Sequence, residues 1–285
     1  MSHQLIEHDD PRVFYDAVFD HLLQSEVECC VQLGLIRRMA REGYSPISPD
    51  ELDRPLLWTI QDGPQIELVA IQTLKKSMLV SSAPQAAMTC LADGLTSRRW
   101  SGTSLIGVSP SIGELAERYA EVSLRRRRLM LRLRVFQLDS MVWPNAVSGA
   151  IRVCHSEYRE TLARFVAGFE ADTGQTSLEE AQSRADRLIA DQRVFIWVDT
   201  EPVAMAAFSG ETPNGIRVSW VYTPPQFRGK GYASNLVAFL SQHLLDEGRR
   251  YCFLFTDQAK PTSNSIYQKL GYRPVSDSER WEFSG

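Results

Sequence analysis

Residues 218–240 have the sequence VSWVYTPPQFRGKGYASNLVAFL, which is the most informative segment of the chain. Its first part predicts a strand, and two consecutive prolines end that strand. Residues 228–233 then open a helix, whose first backbone N–H groups have no intrahelical acceptor. The helix dipole adds partial positive charge at that end, and Gly229 and Gly231 let an anion approach the backbone closely. This stretch therefore predicts a phosphate-binding loop between a strand and a helix.

Two other glycine-rich phosphate loops are excluded by their spacing. A P-loop needs GxxxxGK[ST], which this segment lacks. A dinucleotide-binding loop needs GxGxxG after the first strand of its domain, but Ser234 stands where the third glycine belongs. By our count, the loop follows the fourth predicted strand of its domain. Taken alone, the stretch has a second interpretation, which is a glycine turn with solvated Arg228 and Lys230 side chains.

A second stretch, FLFTDQAKPTSNSIYQKLGYRPV (residues 253–275), joins a predicted strand to a short helix that carries Tyr267. Together the two stretches resemble the GNAT superfamily of N-acetyltransferases, in the family's order and at about its usual separation. The resemblance covers residues from about 149 to 285. It rests on Arg-x-x-Gly-x-Ala (Arg228, Gly231, Ala233) and on N-x-x-Y-x-K-L-G-Y (Asn264, Tyr267 and residues 269–272).

The resemblance implies an α/β fold with one mixed sheet, and the hydrophobic pattern agrees with it. Residues after about 149 predict elements in the order β-α-α-β-β-β-α-β-α-β. Two of these strands, IRVSWVYT (residues 216–223) and YCFLFT (residues 251–256), are expected to be parallel neighbours that splay apart. The family's acetyl group lies in such a gap.

The resemblance also implies a role for each matching residue in binding acetyl-coenzyme A, the cosubstrate, with no metal. Tyr267 is implied to protonate the departing thiolate, and Asn264 to contact the coenzyme near its pantetheine arm. A phenol suits proton donation because its unperturbed pKa, about 10, is close to that of an alkyl thiol. The pantetheine amides are implied to pair with the strand edge at Val221, Tyr222 and Thr223. The pyrophosphate is implied to bind, mainly through backbone N–H groups, at Arg228, Gly229, Lys230, Gly231, Tyr232, Ala233 and Ser234.

The chain departs from the family pattern at two positions. Many members have an Asn seven residues before the tyrosine, whereas this chain has Lys260, a donor without an acceptor. Either Lys260 reaches a phosphate of the coenzyme, or it marks weaker binding. Some relatives keep a Glu near the end of the preceding strand, where this chain has Phe255. Asp257 and Glu211 are candidate bases through water, although each is also interpreted as a solvated loop or cap carboxylate.

The first half of the chain predicts a separate lobe. Its periodicity predicts a helix over residues 13–42, then a proline-rich loop over residues 44–55 and two strands around a turn at residues 62–64. This pattern resembles the N-terminal lobe of two-lobed bacterial GNAT proteins, a degenerate copy of the fold that lacks the pyrophosphate loop. The segment VWPNAVSG (residues 142–149) predicts a linker, so the expected lobes are residues 1–145 and 146–285.

Composition excludes several classes of protein. With 44% hydrophobic and 23% charged residues, the chain is typical of globular proteins. It has no apolar run long enough to span a membrane, no secretory signal, and five scattered cysteines without a CxxC pair, so we expect a cytoplasmic protein. A net charge of −4 argues against nucleic-acid or membrane partners. The run Arg125–Arg128 is interpreted as a solvated helix face rather than as a patch for an acidic partner.

Several other residues are interpreted as structural. His155 and His243 lack the spacing and the partners of a metal site. The strand residues Trp197, Phe208, Trp220 and Cys252 are expected in the core.

Two functions from different classes stay open. The leading one is an enzyme in which an amine attacks the thioester of acetyl-coenzyme A directly, with Tyr267 as general acid. The acceptor is expected to be a small-molecule or peptide amine, whose identity the sequence does not predict. The alternative is a non-catalytic acyl-coenzyme A sensor or interaction module, in which Tyr267 packs its ring and shows its hydroxyl to water. A homodimer is left open.

Overall fold

Twelve strands and eight α-helices follow one another in the described part of the chain, residues 3–46, 50–173 and 178–285 of a computed structural model. The chain divides into two compact units. Unit 1 contains Met1–Val135, Asp257–Ala259 and Val275–Gly285, and unit 2 contains Phe136–Thr256 and Lys260–Pro274. The end of the chain therefore belongs to the same unit as its beginning.

Unit 1 is a sheet with four helices. Within it the strands are ordered β1-β2-β3-β4-β5-β12-β6, with β4 and β5 parallel. Its elements are β1 (Gln4–Glu7), α1 (Pro11–Leu23), α2 (Cys30–Glu42), β2 (Glu51–Asp62), β3 (Gln65–Leu74), β4 (Ser77–Val80), α3 (Gln85–Ser97), β5 (Ser104–Val108), α4 (Ser111–Ser123), β6 (Arg126–Leu138) and the final strand β12 (Arg273–Ser284).

The elements after residue 149 follow the predicted order, which the structure confirms, and all of them except the last strand, β12, lie in unit 2. Its strands are ordered β6-β11-β10-β9-β8-β7, where the last residues of β6 begin the unit. Its elements are β7 (Ala150–Val153), α5 (Arg159–Thr173), α6 (Leu178–Ala190), β8 (Val194–Val198), β9 (Pro202–Ser209), β10 (Gly215–Tyr222), α7 (Tyr232–Asp246), β11 (Tyr251–Asp257) and α8 (Pro261–Lys269).

Strand β9 shows why the sheet of unit 2 carries helices on both faces. Residues 203–207 are all buried, so this strand reads as a continuous apolar run. Val203 and Ala206 pack in one core cluster with the apolar stripe of α7, which includes Leu240. Met205 packs in another cluster with α5 and α6. The expected core positions of Trp197 and Cys252 are confirmed, since both are buried in the first cluster.

The predicted helix over residues 13–42 is wrong as a single element. Helix α1 ends at Leu23 and α2 begins at Cys30, with turns between them. Phe14 and Leu22 of the first helix and Ile36 of the second lie in the same core cluster. Both helices bury their apolar faces in one core, so apolar residues recur at helical spacing in both. This periodicity therefore did not show where the first helix ends and the second begins.

The predicted loop over residues 44–55 is also wrong in its last part, because β2 already begins at Glu51. The pairing of β2 with β3 shifts register between Glu51 and Leu56. This irregularity accommodates Pro55, which has no N–H to donate to a regular ladder. The part of the predicted loop at residues 47–49 lies outside the described residues.

The helical interpretation of Arg125–Arg128 is wrong, since β6 begins at Arg126. On this strand Arg132 pairs with Glu279 at 2.8 Å and Arg134 with Asp277 at 3.0 Å. Both carboxylates belong to β12, more than 140 residues later. Residues 126–128 are exposed, as a solvated face would be, but they lie on a strand and not on a helix.

The segment at residues 142–149 has no regular secondary structure, as a linker would. The lobe boundary between residues 145 and 146 stays a prediction. Among the described helices, none is both long and apolar enough to cross a membrane. All five cysteines are free of disulfides.

Candidate functional site

Strands β10 and β11 pair in parallel only at their beginnings. The register joins Gly215–Arg217 to Tyr251–Phe253, whereas β10 runs on to Tyr222 and β11 to Asp257. Beyond Arg217 the two strands are therefore no longer hydrogen-bonded to each other. This confirms the predicted gap between neighbouring parallel strands.

A bulge in β10 frees backbone groups beside this gap. The pairing of β10 with β9 jumps from Ser219 to Tyr222, so Trp220 and Val221 have no regular partner on β9. Trp220 takes a φ of +55°, which is uncommon for a bulky residue. Its ring is held by Phe169 of α5, with centroids 4.9 Å apart. The bulge thus interrupts the ladder at the residues expected to meet the pantetheine arm.

The loop from β10 to α7 ends in three free amides. Gly231 caps α7 with φ at +85° and no side-chain hydrogen bond, and the first helical bond runs from the Asn235 amide to the Gly231 carbonyl. Within the described residues, the amides of Tyr232, Ala233 and Ser234 donate to no carbonyl or side chain. Converging donors at a positive helix end bind anions such as phosphate.

The side chain of Tyr267 lies on α8, which follows β11. Its ring packs on the unit 2 core beside Tyr272, with centroids 5.8 Å apart. Burial raises the pKa of Tyr267 to about 12. No hydrogen bond to its hydroxyl is formed by the part of the chain that the structure describes.

Asn264 ties α8 to the separated half of β11. Its Oδ1 accepts a hydrogen bond from Thr256 Oγ1 at 3.1 Å, and its Nδ2 donates to the Lys260 carbonyl at 2.9 Å. Thr256 lies beyond Phe253, the last residue of β11 paired with β10. Asn264 therefore has a structural role, fixing the helix that carries Tyr267 to the strand that borders the gap.

Sequence comparison places these features in a known family. Residues 157–272 match the family model described as the acetyltransferase (GNAT) family. These residues form a GNAT acetyltransferase domain. No curated protein matches the chain at a significant level.

The whole chain also shares its fold with solved structures. An acetyltransferase of the GNAT family from Colwellia psychrerythraea is 11% identical, with a TM-score of 0.61 and 100% of both chains covered. A GCN5-related N-acetyltransferase from Sphaerobacter thermophilus is 15% identical, with a TM-score of 0.62, covering 98% of this chain and 94% of that one. A tandem GNAT protein from the clavulanic acid biosynthesis pathway is 12% identical, with a TM-score of 0.58, covering 99% and 98%. The predicted family and fold are confirmed.

The cationic side chains of Arg228 and Lys260 converge on one residue of α5, Asp172. Arg228 donates to the Asp172 carboxylate at 2.7 Å and to the Thr223 carbonyl at 2.8 Å. Lys260 Nζ donates to the Asp172 backbone carbonyl at 3.0 Å. Since this carbonyl lies in the last turn of α5, where intrahelical amides are lacking, Lys260 acts as a C-terminal cap for that helix. Lys260 therefore contributes an internal contact that neither interpretation of the sequence included.

Other predicted binding residues of the GNAT domain also have internal partners. The Tyr232 hydroxyl donates to Asp199 at 2.8 Å, which raises the pKa of Tyr232. Lys230 Nζ lies 5.9 Å from the centre of the Phe227 ring. Thr223 Oγ1 is buried and has no hydrogen-bond partner among the described residues. The ring of Tyr222 packs against Phe165, with centroids 6.0 Å apart.

The two candidate bases are both engaged elsewhere. Glu211 pairs with Arg249 at 2.5 Å, and the Asp257 carboxylate accepts the Ala259 amide at 2.9 Å. Cys252 is excluded as a nucleophile because burial raises its pKa to about 12. These contacts agree with the interpretation of both carboxylates as loop or cap residues.

Sequence reasoning missed two residues of α5 that shape the site. A Cβ at Gly168 would lie 2.3 Å from the Tyr222 hydroxyl, so only glycine lets that ring pack against the helix. A lone glycine inside a helical pattern often marks such a close contact, and this signal was present. Asp172 gave no signal, because its partners lie 56 and 88 residues away.

Proposed function

We propose that the GNAT domain transfers an acetyl group from acetyl-coenzyme A to an amine by direct attack. The observation that carries the proposal is the set of free amides at Tyr232, Ala233 and Ser234, following the strand that separates from β11. The amides suit the pyrophosphate, and the gap between strands suits the pantetheine arm. The acceptor is a small-molecule or peptide amine.

Each group on the protein then has one task. The loop at residues 228–234 holds the pyrophosphate mainly through its amides, and Asn264 contacts the coenzyme near its pantetheine arm. The edge of β10 at residues 221–223 pairs with the pantetheine amides, since β10 is not paired with β11 beyond Arg217. As the amine nitrogen bonds to the acetyl carbon, a backbone N–H stabilises the oxyanion. The carbon–sulfur bond breaks, and the thiolate takes a proton from Tyr267. The nitrogen loses its extra proton to water, and the Tyr267 phenolate takes a proton back from water, so that the hydroxyl is restored.

Replacing Gly231 by Glu is expected to raise the dissociation constant of acetyl-coenzyme A about a hundredfold or more. The carboxylate would enter the cradle and oppose hydrogen bonds to charged groups worth about 1.5–3 kcal/mol each. Isothermal titration calorimetry on the full chain gives the affinity. Wild type should bind one coenzyme per chain.

The control is Gly231→Ala, because any side chain at a φ of +85° is strained and would lie 3.1 Å from Val147 Cγ1. Alanine carries that strain without the charge, so its affinity should fall between those of wild type and Gly231→Glu. Equal affinity in wild type and Gly231→Glu would contradict the assignment of the loop.

Replacing Asp172 by Asn is expected to tighten coenzyme binding about two- to fivefold at low salt. The Asp172 carboxylate holds Arg228 in the free protein and repels an anionic ligand. The matched control is Asp186→Asn, which breaks an exposed pair with Arg159 in the same domain. Weaker binding in Asp172→Asn alone would instead show that Asp172 positions Arg228 for the ligand.

A further inference from the structure

The first half of the chain repeats the element order of the second half. The elements from β1 to β6 and those from β7 to β12 both run β-α-α-β-β-β-α-β-α-β, and in both series the fourth and fifth strands are parallel neighbours. In unit 2 the loop after the fourth strand is the nine-residue segment 223–231, which leads into the free amides at the start of α7. In unit 1 it is the four-residue segment 81–84. Within its own unit, segment 81–84 thus corresponds to the anion-binding loop.

In unit 1, the corresponding segment 81–84 lines a cavity. Its volume is about 580 Å³, within the range of small-molecule sites. One side is formed by α1 and the turn after it, and the other by the start of β3 and the segment 81–84. The lining residues are Ala17, His21, Gln24, Ser25, Cys29, residues 64–67 and residues 81–84.

This cavity is not built for phosphate. Strand β4 pairs with β5 along its whole length, up to Val80 opposite Gly107, so no gap opens between them. Pro84 precedes α3 and has no N–H, and the amides of Ala87 and Met88 already donate to its carbonyl. The lining contains no lysine or arginine.

The charge of the lining is negative. Burial lowers the pKa of His21, which favours the neutral ring near pH 7, and burial raises the pKa of Cys29 to about 12. Glu67 contributes a carboxylate, whose Oε2 lies 2.8 Å from His3 Nε2. Asp62 brings a second carboxylate to within 4.8 Å of the same two groups. Two carboxylates therefore share one imidazole, and of these three groups only Glu67 lines the cavity.

The remaining polar groups of the lining are hydroxyls and amides, which can accept hydrogen bonds from a ligand as well as donate them. The Ser81 hydroxyl oxygen accepts the Val69 amide, and Ser82 pairs with Ser111 at 3.0 Å. The side chains of Gln24 and Gln65 add carbonyl oxygens to the wall. An ammonium group, with three donors and a positive charge, matches a carboxylate surrounded by such acceptors.

We propose that the unit 1 cavity binds a small organic cation that carries a primary ammonium group, held by the Glu67 carboxylate. This site lies within unit 1 and does not depend on the function proposed for the GNAT domain. The unit 1 cavity would then suit a cation, whereas the loop of the GNAT domain suits an anion.

The test uses three probes of equal length that differ in charge: butylamine, 1-butanol and butanoate. Each is titrated into the full chain, and binding is followed by ligand-observed nuclear magnetic resonance. We expect saturable binding in the order butylamine, butanol, butanoate, with roughly millimolar affinity for the amine. Glu67→Gln, which keeps the size and removes the charge, should weaken butylamine binding about tenfold and leave butanol unchanged.

Two further variants keep the test decisive if Glu67→Gln is destabilised by the loss of its His3 contact. Ala17→Leu fills the cavity from α1 and should weaken both butylamine and butanol binding. Asp20→Asn removes a carboxylate of the same helix outside the lining and should have no effect. Absent butylamine binding, equal affinity for the three probes, or butylamine binding unaffected by both Glu67→Gln and Ala17→Leu would overturn the proposal.

Discussion

Replacing Tyr267 by Phe is expected to lower the rate of acetyl transfer by a factor of about a hundred to ten thousand. The substitution deletes only the hydroxyl that would protonate the departing thiolate. Because the ring packs on the core of unit 2, it keeps its place without that oxygen. Coenzyme affinity should therefore stay nearly unchanged while kcat falls.

The matched control is Tyr272→Phe. Tyr272 is fully packed beside Tyr267, but its hydroxyl is bonded to Ser241 at 2.8 Å. Removing it leaves a buried serine without this partner, which lowers stability and not the rate. Thiol release assays with a screen of small amines and peptides give the rates, and thermal unfolding gives the stability. Full activity in Tyr267→Phe would refute its role as general acid.

The pH dependence of the reaction supplies a second readout. With its pKa raised to about 12, the Tyr267 hydroxyl stays protonated across the working range and can donate a proton. Donation is lost only as the pH rises through that value. We therefore expect no fall in kcat between about pH 8 and pH 10 that depends on Tyr267. Tight binding without turnover for any amine would favour the alternative function, an acyl-coenzyme A sensor.

A fragment ending at residue 140 is expected to be unfolded, because it lacks β12. This strand pairs with β5 through Ser278–Glu282, inside the sheet of unit 1. Phe283 is buried in the core, with its ring 4.9 Å from that of Tyr119. Losing one such aromatic side chain costs about 3–5 kcal/mol, against a total stability of about 5–15 kcal/mol for a typical domain.

Circular dichroism and urea unfolding of the fragment test this expectation. The control is the same fragment joined by a flexible linker to residues 275–285, which restores the missing strand. We expect a cooperative transition only in the joined form. A cooperative transition of equal midpoint in both fragments would show that β12 is dispensable for unit 1.

The features that depend on neighbouring residues could be predicted from the sequence. Two glycines before a helix rich in apolar residues predicted the turn of the chain at Gly231 and the amides beyond it. Alternation and turn residues predicted the strands of unit 2 in their correct order. The motifs around Gly231 and Tyr267 resembled those of the GNAT superfamily. Each of these signals lies within a short window, where steric and hydrogen-bonding preferences act directly.

Contacts between residues far apart in the sequence could be found only from the tertiary structure. In the structure, Lys260 caps α5, Asp172 binds Arg228, and β12 supplies acidic partners for the arginines of β6. The structure also shows that the helical periodicity of residues 13–42 covers two helices. These features arise from strand register, packing in a shared core and ion pairs between residues far apart along the chain. Periodicity carries no information about such contacts, because it records only which face of each element is apolar.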